Sequence, residues 1–165
     1  MQQAPGAPQR VPLDDSPGFL LSQLGVYSAQ RFAERLQPLG VHPRHFGLLV
    51  NIASVEGQSQ QYLADAMGIH RNVMVGLVDE LEHRGLVERR RHASDRRAHA
   101  LYLTAAAREL LVQAEAFAHD NDADLVTALD QAERRLLISL LRRIASDRGL
   151  HRGVHPGLQS PHPDP

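Results

Sequence analysis

Arginine side chains are concentrated in one short stretch near the middle of the chain. Between positions 84 and 108 there are seven arginines against two acids, Glu88 and Asp95, although the net charge of all 165 residues is −1. A guanidinium group donates two parallel hydrogen bonds to a phosphate, and clustered positive charge attracts polyanions. The stretch, with arginines at 84, 89, 90, 91, 96, 97 and 108, therefore concentrates positive charge where a phosphate backbone would lie.

A second set of polar side chains lies ahead of this stretch. Arg71 and Asn72 stand where a helix is expected to begin, near His70. Arginine pairs with guanine and asparagine with adenine through two hydrogen bonds, and Val75 offers an apolar contact for a thymine methyl group. These residues are candidates for reading base edges. The alternative for Arg71 is a phosphate contact, and the alternative for Asn72 is local capping of the helix.

Two short helices joined by a tight turn are expected to position these side chains. Ser59 is a suitable N-cap for the first helix, and Gly68 is a suitable residue to end it. The second helix has apolar residues at i, i+3, i+4 and i+7, which form one buried stripe of Met74, Leu77, Val78 and Leu81. Its opposite face carries Arg71, Asn72, Val75 and Gly76. This pattern predicts a helix-turn-helix whose second helix can enter a major groove.

A β-hairpin is predicted directly after the second helix. Gly85 ends the helix, residues 86–91 and 98–103 have the composition of strands, and residues 91–97 form an arginine-rich loop between them. A hairpin in this position is a wing. Arg91 and Arg96 are expected to contact phosphates, with a solvated surface charge as the alternative for any single wing arginine.

These residues together resemble the MarR family of winged-helix transcription regulators. The match includes the LAxxxGI turn, the run LVDELEHRGLVER, and an Asp-x-Arg motif, here Asp95-Arg96-Arg97, before a strand that ends in Leu-Thr. The resemblance covers residues 17–146 and implies a homodimeric, sequence-specific DNA-binding regulator, most often a repressor of a palindromic operator. It also implies that Asp95 braces Arg97 for insertion into a minor groove, where arginine reads groove shape. Ser59 and Gln60 complete the predicted DNA contacts.

Helices are predicted on both sides of this module. One begins at Ser16-Pro17, continues to about Gln37, and places Leu20, Leu21, Leu24, Tyr27 and Leu36 on one broad face. The next begins at Pro43 and is expected to bury Phe46, Leu49, Val50 and Ala53. After Thr104 a long helix follows, with seven acids and no arginine or lysine between positions 109 and 133, so it should face away from DNA. A capping box from Asp130 to Glu133 opens the last helix.

The predicted fold is mainly α: a winged helix-turn-helix with a two-stranded β-wing, flanked by N- and C-terminal dimerisation helices. Its predicted parts are a flexible arm over residues 1–16, a subunit over 17–148 and a disordered tail over 149–165. Within the subunit, the DNA-binding module covers about 42–104 and the dimerisation helices about 17–37 and 105–147. A two-fold dimer presents two recognition helices to adjacent major grooves. The alternative is a monomer in which these helices close their own core.

The family resemblance also implies a small aromatic or anionic effector that binds between the dimer helices and the winged module and releases DNA. Arg31, His45, Phe46 and Phe117 are the candidate lining residues, since they supply a cation, an imidazole and two aromatic rings. The alternative for each is core packing or surface charge.

Composition excludes several other classes of site. The chain has no cysteine, which excludes disulfides, thiolate metal sites and cysteine-based redox sensing. It has no signal peptide and no apolar run long enough to span a membrane, so a cytoplasmic protein without a membrane partner is expected. It also shows no phosphate loop, nucleophile elbow or paired catalytic carboxylates, so neither an enzyme nor a cofactor is expected.

Ten histidines raise the question of a metal site. His42 and His45 lie three residues apart, His92 and His99 flank the wing, and His151, His155 and His162 lie in the tail. No spacing among them supplies the three or four ligands that zinc usually needs, so no metal ligand is assigned. Two alternatives to a ligand-released repressor remain at this stage: a zinc-responsive regulator, and a winged helix that binds only protein partners.

Overall fold

The computed structural model describes residues 12–91 and 99–155. The helices within these ranges are α1 (Pro17–Leu36), α2 (Pro43–Ser54), α3 (Gln60–Met67), α4 (Arg71–His83), α5 (Ala105–Leu125) and α6 (Gln131–Asp147). Strands β1 (Val87–Arg91) and β2 (His99–Leu103) form an antiparallel sheet in which Val87 lies opposite Leu103. This architecture confirms the predicted fold class. The predicted arm up to residue 11, the tail from 156 and the wing loop 92–98 lie outside the described residues.

The predicted helix starts are formed by side-chain caps. The Ser16 hydroxyl accepts a hydrogen bond from the Phe19 amide at 3.4 Å, and the Thr104 hydroxyl accepts one from Ala107 at 3.1 Å. The capping box before α6 is also present, because the Glu133 carboxylate accepts from the Asp130 amide at 2.8 Å while Asp130 caps the first turn. Each cap satisfies an amide that has no partner within its own helix.

The hydrophobic core lies where α2, α3, α4 and α5 meet one another and the sheet. Its largest fully buried side chains are Leu36, Leu48, Leu49, Ile52, Leu63, Met67, Met74, Val78, Leu81, Val87 and Leu101. They come from every element between the end of α1 and β2. The winged module and the helices beside it therefore share one core, and α4 is held by packing along its whole inner face.

The face of α2 that packs most deeply differs from the predicted one. Prediction placed Ala53 in the core, but the structure leaves Ala53 exposed and buries Leu48 and Ile52 completely. Phe46 and Val50 are half-buried and pack against the edge of the core. Two apolar stripes run side by side on this helix, and the larger branched side chains occupy the centre because they remove more apolar surface from water.

A short segment before α3 extends the sheet, which was not predicted. The Gly57 amide donates to the Leu101 carbonyl and the Leu101 amide donates to Gln58, both at 3.0 Å. Ser59 then pairs with Ala100 as an isolated antiparallel bridge. These bonds attach the start of the helix-turn-helix to the base of the wing.

The outward surface of α1 is apolar and uncovered in the single chain. Of the five residues predicted to share one face, only Leu36 is fully buried, whereas Leu20, Leu21, Leu24 and Tyr27 are 40–54% exposed. On its inner side α1 is held to α5 by polar contacts. The Asn121 amide donates to the Ser28 hydroxyl at 3.1 Å, and Arg35 pairs with Asp124.

Helix α6 makes no extended contact with another element in the described part of the chain, and it buries no residue there. Its large exposed apolar residues are Leu136, Ile138, Leu140, Leu141 and Ile144. Exposed apolar area of this extent is unusual for a chain that functions alone and marks an interaction surface.

The beginning of the C-terminal tail does not follow the prediction. Residues 149–165 were expected not to pack, yet Val154 is half-buried and lies against the hydrophobic core. Within the described ranges, no helix has the length and apolar character needed to cross a membrane.

Candidate nucleic-acid interface

The helix-turn-helix forms through the caps that the sequence predicts. The Ser59 hydroxyl accepts from the Tyr62 amide at 3.1 Å and begins α3. Gly68 ends α3 in the left-handed conformation, with φ of 60°, which glycine adopts without strain. The His70 ring accepts from the Asn72 amide at 3.3 Å and begins α4. The turn between the helices is fixed at both ends, so the orientation of α4 follows from local chemistry.

The two faces of α4 are divided as predicted. Met74, Leu77, Val78 and Leu81 are buried, and Arg71, Asn72, Val75 and Gly76 are exposed. No side chain in the described ranges forms an ion pair or a hydrogen bond with the side chain of Arg71 or with the side-chain amide of Asn72; the bond to His70 comes from the backbone amide of Asn72. Both side chains are thus available to an external partner at the first turn of α4.

Gln60 and Arg89 show how the wing is attached to α4. The Arg89 guanidinium pairs with Asp79 and Glu82 of α4 and donates to the Gln60 side-chain oxygen at 3.2 Å. Its side chain is only 19% exposed. Arg89 therefore connects β1, α3 and α4 internally, although its place in the arginine-rich stretch suggested a phosphate contact.

Other arginines near the interface also have internal partners. Arg90 pairs with Glu88 and lies over the Tyr102 ring, 4.5 Å from its centroid. Arg108 donates to both oxygens of Glu56 at 2.7 Å, which holds the pKa of that carboxyl below its ordinary value. Counting charge between positions 84 and 108 missed the partners of Arg89 and Arg108, because Glu56, Asp79 and Glu82 lie outside that window. The seven arginines in this stretch therefore overstate the positive charge that is available to a phosphate backbone, because internal carboxylates pair with Arg89 and Arg108.

Arg91 differs from its neighbours. It is exposed at the outer end of β1, opposite His99 across the sheet, and forms no ion pair within the residues described. Its side chain is therefore accessible to an external partner, and its contact with a phosphate stays a prediction. Asp95, Arg96 and Arg97 lie in the loop 92–98, outside the described residues, and their predicted DNA contacts remain predictions.

A polar cluster joins α2 to the middle of α4, a feature that sequence reasoning did not find. The His45 Nε2 atom lies 2.6 Å from a Glu80 oxygen, and Arg44 donates to both Glu80 oxygens at 2.9 and 3.1 Å. Burial lowers the pKa of His45, against the raising effect of its hydrogen bond with Glu80. The same hydrogen bond lowers the pKa of Glu80. The cluster holds α4 from the side opposite to Arg89.

The four candidate effector residues lie in different environments. Phe46 packs edge-to-face with Phe32, with centroids 5.3 Å apart, and Phe117 is half-buried against the core. Arg31 is exposed and paired with Glu34 at 2.9 Å, while the His45 ring is occupied by Glu80. The two aromatic residues lie on the α1–α2–α5 side of the core. Their role in ligand binding remains a prediction.

The histidines show no metal arrangement where the structure describes them. Across residues 12–91 and 99–155, no three His, Asp or Glu side chains are grouped so that they could hold one ion. His42 and His70 instead cap helices through ring nitrogens. His92 and His162 lie outside the described residues.

Comparison with known proteins gives consistent matches. A model of the MarR family matches residues 39–98. A putative transcriptional regulatory protein for the hcr operon of Thauera aromatica is 35% identical over 128 residues, which are 77% of this chain and 77% of that protein. The structure of the transcriptional repressor CouR bound to a 23-mer DNA duplex is 31% identical, with a TM-score of 0.74 over 81% of this chain and 94% of that one. CouR from Rhodococcus jostii RHA1 bound to p-coumaroyl-CoA is 33% identical, with a TM-score of 0.70 over the same shares. This chain therefore belongs to the MarR family of winged-helix, DNA-binding transcriptional regulators.

Proposed function

We propose that this protein is a homodimeric repressor that recognises a palindromic operator and is released from it by a small aromatic ligand. The first turn of α4 carries this proposal, because it presents Arg71 and Asn72, whose side chains have no partner among the described residues, beside exposed Val75. Arginine and asparagine at the N-terminal end of a recognition helix suit guanine and adenine edges. Ser59, Gln60, Arg91 and the wing residues Asp95, Arg96 and Arg97 complete the proposed DNA contacts.

The homodimer is supported by the apolar surfaces of α1 and α6. Leu20, Leu24 and Tyr27 on α1 and Leu140 and Ile144 on α6 are exposed in one chain, and a second copy offers the same apolar surface in return. Sedimentation velocity should give the mass of a dimer. Leu140→Glu should shift the protein toward monomer with unchanged helical content and weaken DNA binding, since one recognition helix alone contacts half an operator.

The ligand is proposed to be an aromatic acid or its coenzyme A thioester. The support is the family likeness to CouR, whose structure contains p-coumaroyl-CoA, together with the aromatic pair formed by Phe32 and Phe46 between α1 and α2. Phe117 and Arg31 are the further candidates for contact with the ring and the anionic part. Adding p-coumaroyl-CoA should lower operator affinity about fivefold or more, whereas free coenzyme A should not.

The experiment that tests the proposal begins with selection of duplexes from randomised DNA by the wild-type protein. The enriched duplex and an unrelated duplex are then titrated at two salt concentrations. Specific affinity should exceed non-specific affinity by a factor of about 10³ or more, with a steep loss of affinity as salt rises. If no duplex is enriched and no DNA is bound at low salt, the winged helix is a protein-binding module. Operator affinity that depends on added zinc and is abolished by a chelator indicates the zinc-responsive alternative.

A further inference from the structure

Gly76 is a residue of α4 that the chain's own structure does not explain. Apart from proline, glycine is the least favourable residue in a helix interior, because it loses the most backbone freedom on folding. A β-carbon built at Gly76 meets no described atom within 4 Å beyond its two chain neighbours and the backbone of its own helix, and the φ of Gly76 is not positive. Gly57 is different, since its φ is 85° and a β-carbon there would lie 3.0 Å from the Tyr102 hydroxyl. Neither packing nor backbone conformation requires glycine at position 76.

The neighbours of Gly76 place it on the proposed DNA-facing surface. Residues four apart are adjacent on a helix surface, so Asn72 and Gly76 form one row and Arg71 and Val75 form the next. All four residues are exposed, and Val75 is 37% exposed although it is a large apolar residue. The neighbours of Gly76 along and across its row are Asn72, Val73, Asp79 and Glu80, and none of their side-chain atoms lies within 4 Å of a β-carbon built at 76. The missing side chain therefore leaves an open notch in the helix surface beside Val75.

We infer that the step formed by Val75 and Gly76 receives the 5-methyl group of a thymine in the major groove, which makes residue 76 a determinant of operator sequence. The thymine methyl is the apolar group that a base pair presents in this groove, and apolar side chains recognise it by contact. Asn72, in the same row as Gly76, suits an adenine edge, so this row favours A·T pairs, whereas Arg71 in the next row suits guanine. The inference rests on the proposed reading of DNA by α4. It adds that the notch at Gly76 accepts the 5-methyl group of a thymine.

A β-carbon at position 76 would occupy the space assigned to the thymine methyl. Gly76→Ala should therefore raise the melting temperature by about 2–4 °C, because alanine favours the helix, and should weaken binding to the selected duplex at least about tenfold. Stability and affinity then change in opposite directions. If folding required glycine at position 76, the melting temperature of Gly76→Ala would instead fall.

The sharper test replaces each thymine of the selected duplex in turn by uracil, which removes only the 5-methyl group. In each half-site, one of these single replacements should weaken binding of the wild type about fourfold, which is the loss expected for one buried methyl group. For Gly76→Ala the order should reverse at that position, so that the uracil duplex binds more tightly than the thymine duplex. Ser54→Thr, which adds one methyl group to an exposed residue at the end of α2, is the matched control and should keep the wild-type order.

Two results overturn the inference: Gly76→Ala binds the selected duplex within twofold of the wild type, or it is weakened equally on thymine and uracil duplexes. Either result leaves the proposed function intact if the wild type still prefers its selected duplex over unrelated DNA. Loss of that preference in the wild type itself means instead that the proposed reading of DNA by α4 is wrong.

Discussion

The two halves of α4 use polar side chains in opposite ways. In the first half, Arg71 and Asn72 extend from the surface without a side-chain partner in the described part of the protein. In the second half, the carboxylates of Asp79, Glu80 and Glu82 are each held by a cation from another element. One helix thus has an end that is free to contact an external partner and an end that is fixed to the rest of the fold.

The fixed half is held from two sides. Arg89 on β1 pairs with Asp79 and Glu82, and Arg44 and His45 on α2 engage Glu80. Recognition of bases needs side chains whose supporting backbone is already in place, because ordering it on binding would reduce affinity. Polar side chains on this DNA-binding module therefore have two functions, contact with an external partner and attachment of α4 to the fold. A side chain that has an internal partner serves the second function.

Arg71→Ala should have the largest effect on DNA binding. Loss of a base pair contact with two hydrogen bonds costs about 1–3 kcal/mol, so affinity for the selected duplex should fall about tenfold or more. The melting temperature should not change, since Arg71 makes no internal ion pair among the described residues. The measurement is a titration at fixed salt beside thermal denaturation.

The same Arg71 titration separates base reading from phosphate contact. A loss confined to the selected duplex assigns Arg71 to a base. An equal loss on unrelated DNA, with the salt slope reduced by about 1, assigns it to a phosphate. Unchanged affinity on both duplexes removes Arg71 from the interface and contradicts the division of α4 into free and fixed halves.

Arg89→Met should have the opposite profile. Methionine keeps much of the aliphatic length but leaves two carboxylates and the Gln60 oxygen without their donor. Hydrogen bonds to charged groups contribute about 1.5–3 kcal/mol each when partly buried, and solvent exposure of Asp79 and Glu82 reduces this, so a loss of about 1–2 kcal/mol is expected in urea denaturation. The salt slope of DNA binding should be unchanged.

Arg91→Ala is the contrasting variant for Arg89→Met, because the two arginines belong to the same strand but only Arg89 has internal partners among the described residues. It should leave the free energy of unfolding within about 0.5 kcal/mol of the wild type and lower the salt slope by about 1. If Arg89→Met lowers the slope and Arg91→Ala does not, the assignment of internal and external arginines is reversed.

The features of the fold that depend on neighbours in sequence could be predicted. Ser59, Gly68 and Thr104 have the cap or turn chemistry that their positions require, and the apolar spacing in α4 identified its buried stripe. The exposed face of α4 followed from the same periodicity. Local rules work here because each feature is decided within about one helical turn.

Features that depend on contacts between distant elements could not be predicted. Arg108 pairs with Glu56, which lies 52 residues earlier, and nothing in the local sequence of either residue identifies the other. On α2, two apolar stripes compete, and only the positions of α4 and α5 decide that Ile52 rather than Ala53 is buried. Residues 57–59 join the sheet because the packed helices bring them beside β2, without a strand-like pattern of their own.

His45→Gln should have the smallest effect, and it tests the fixed half of α4 through pH. The His45 Nδ1 atom accepts from the His42 amide at 3.4 Å, so a neutral ring carries its proton on Nε2 and donates it to Glu80 at 2.6 Å. Protonation of Nδ1 removes that acceptor and places a charge in a buried position near Arg44 and Arg84, which agrees with the lowered pKa of His45. Glutamine keeps an N–H donor near Nε2 but does not titrate.

The sign of the pH effect follows from the lowered pKa. Below the ordinary histidine value of 6.5 the unfolded chain binds a proton that the folded chain resists, so the contribution of His45 to stability is present above that pH and is lost as the pH falls below it. Between pH 8 and pH 5.5 the melting temperature of the wild type should fall more than that of His45→Gln, by at most about 4 °C. The pKa of Glu80 is lowered from its ordinary value of 4.5, so in the wild type this carboxyl stays ionised across the range and the comparison reports the titration of His45. Equal falls would show that burial does not lower the pKa of His45 in the folded protein, so that the attachment of α4 to α2 would not depend on this ring's protonation.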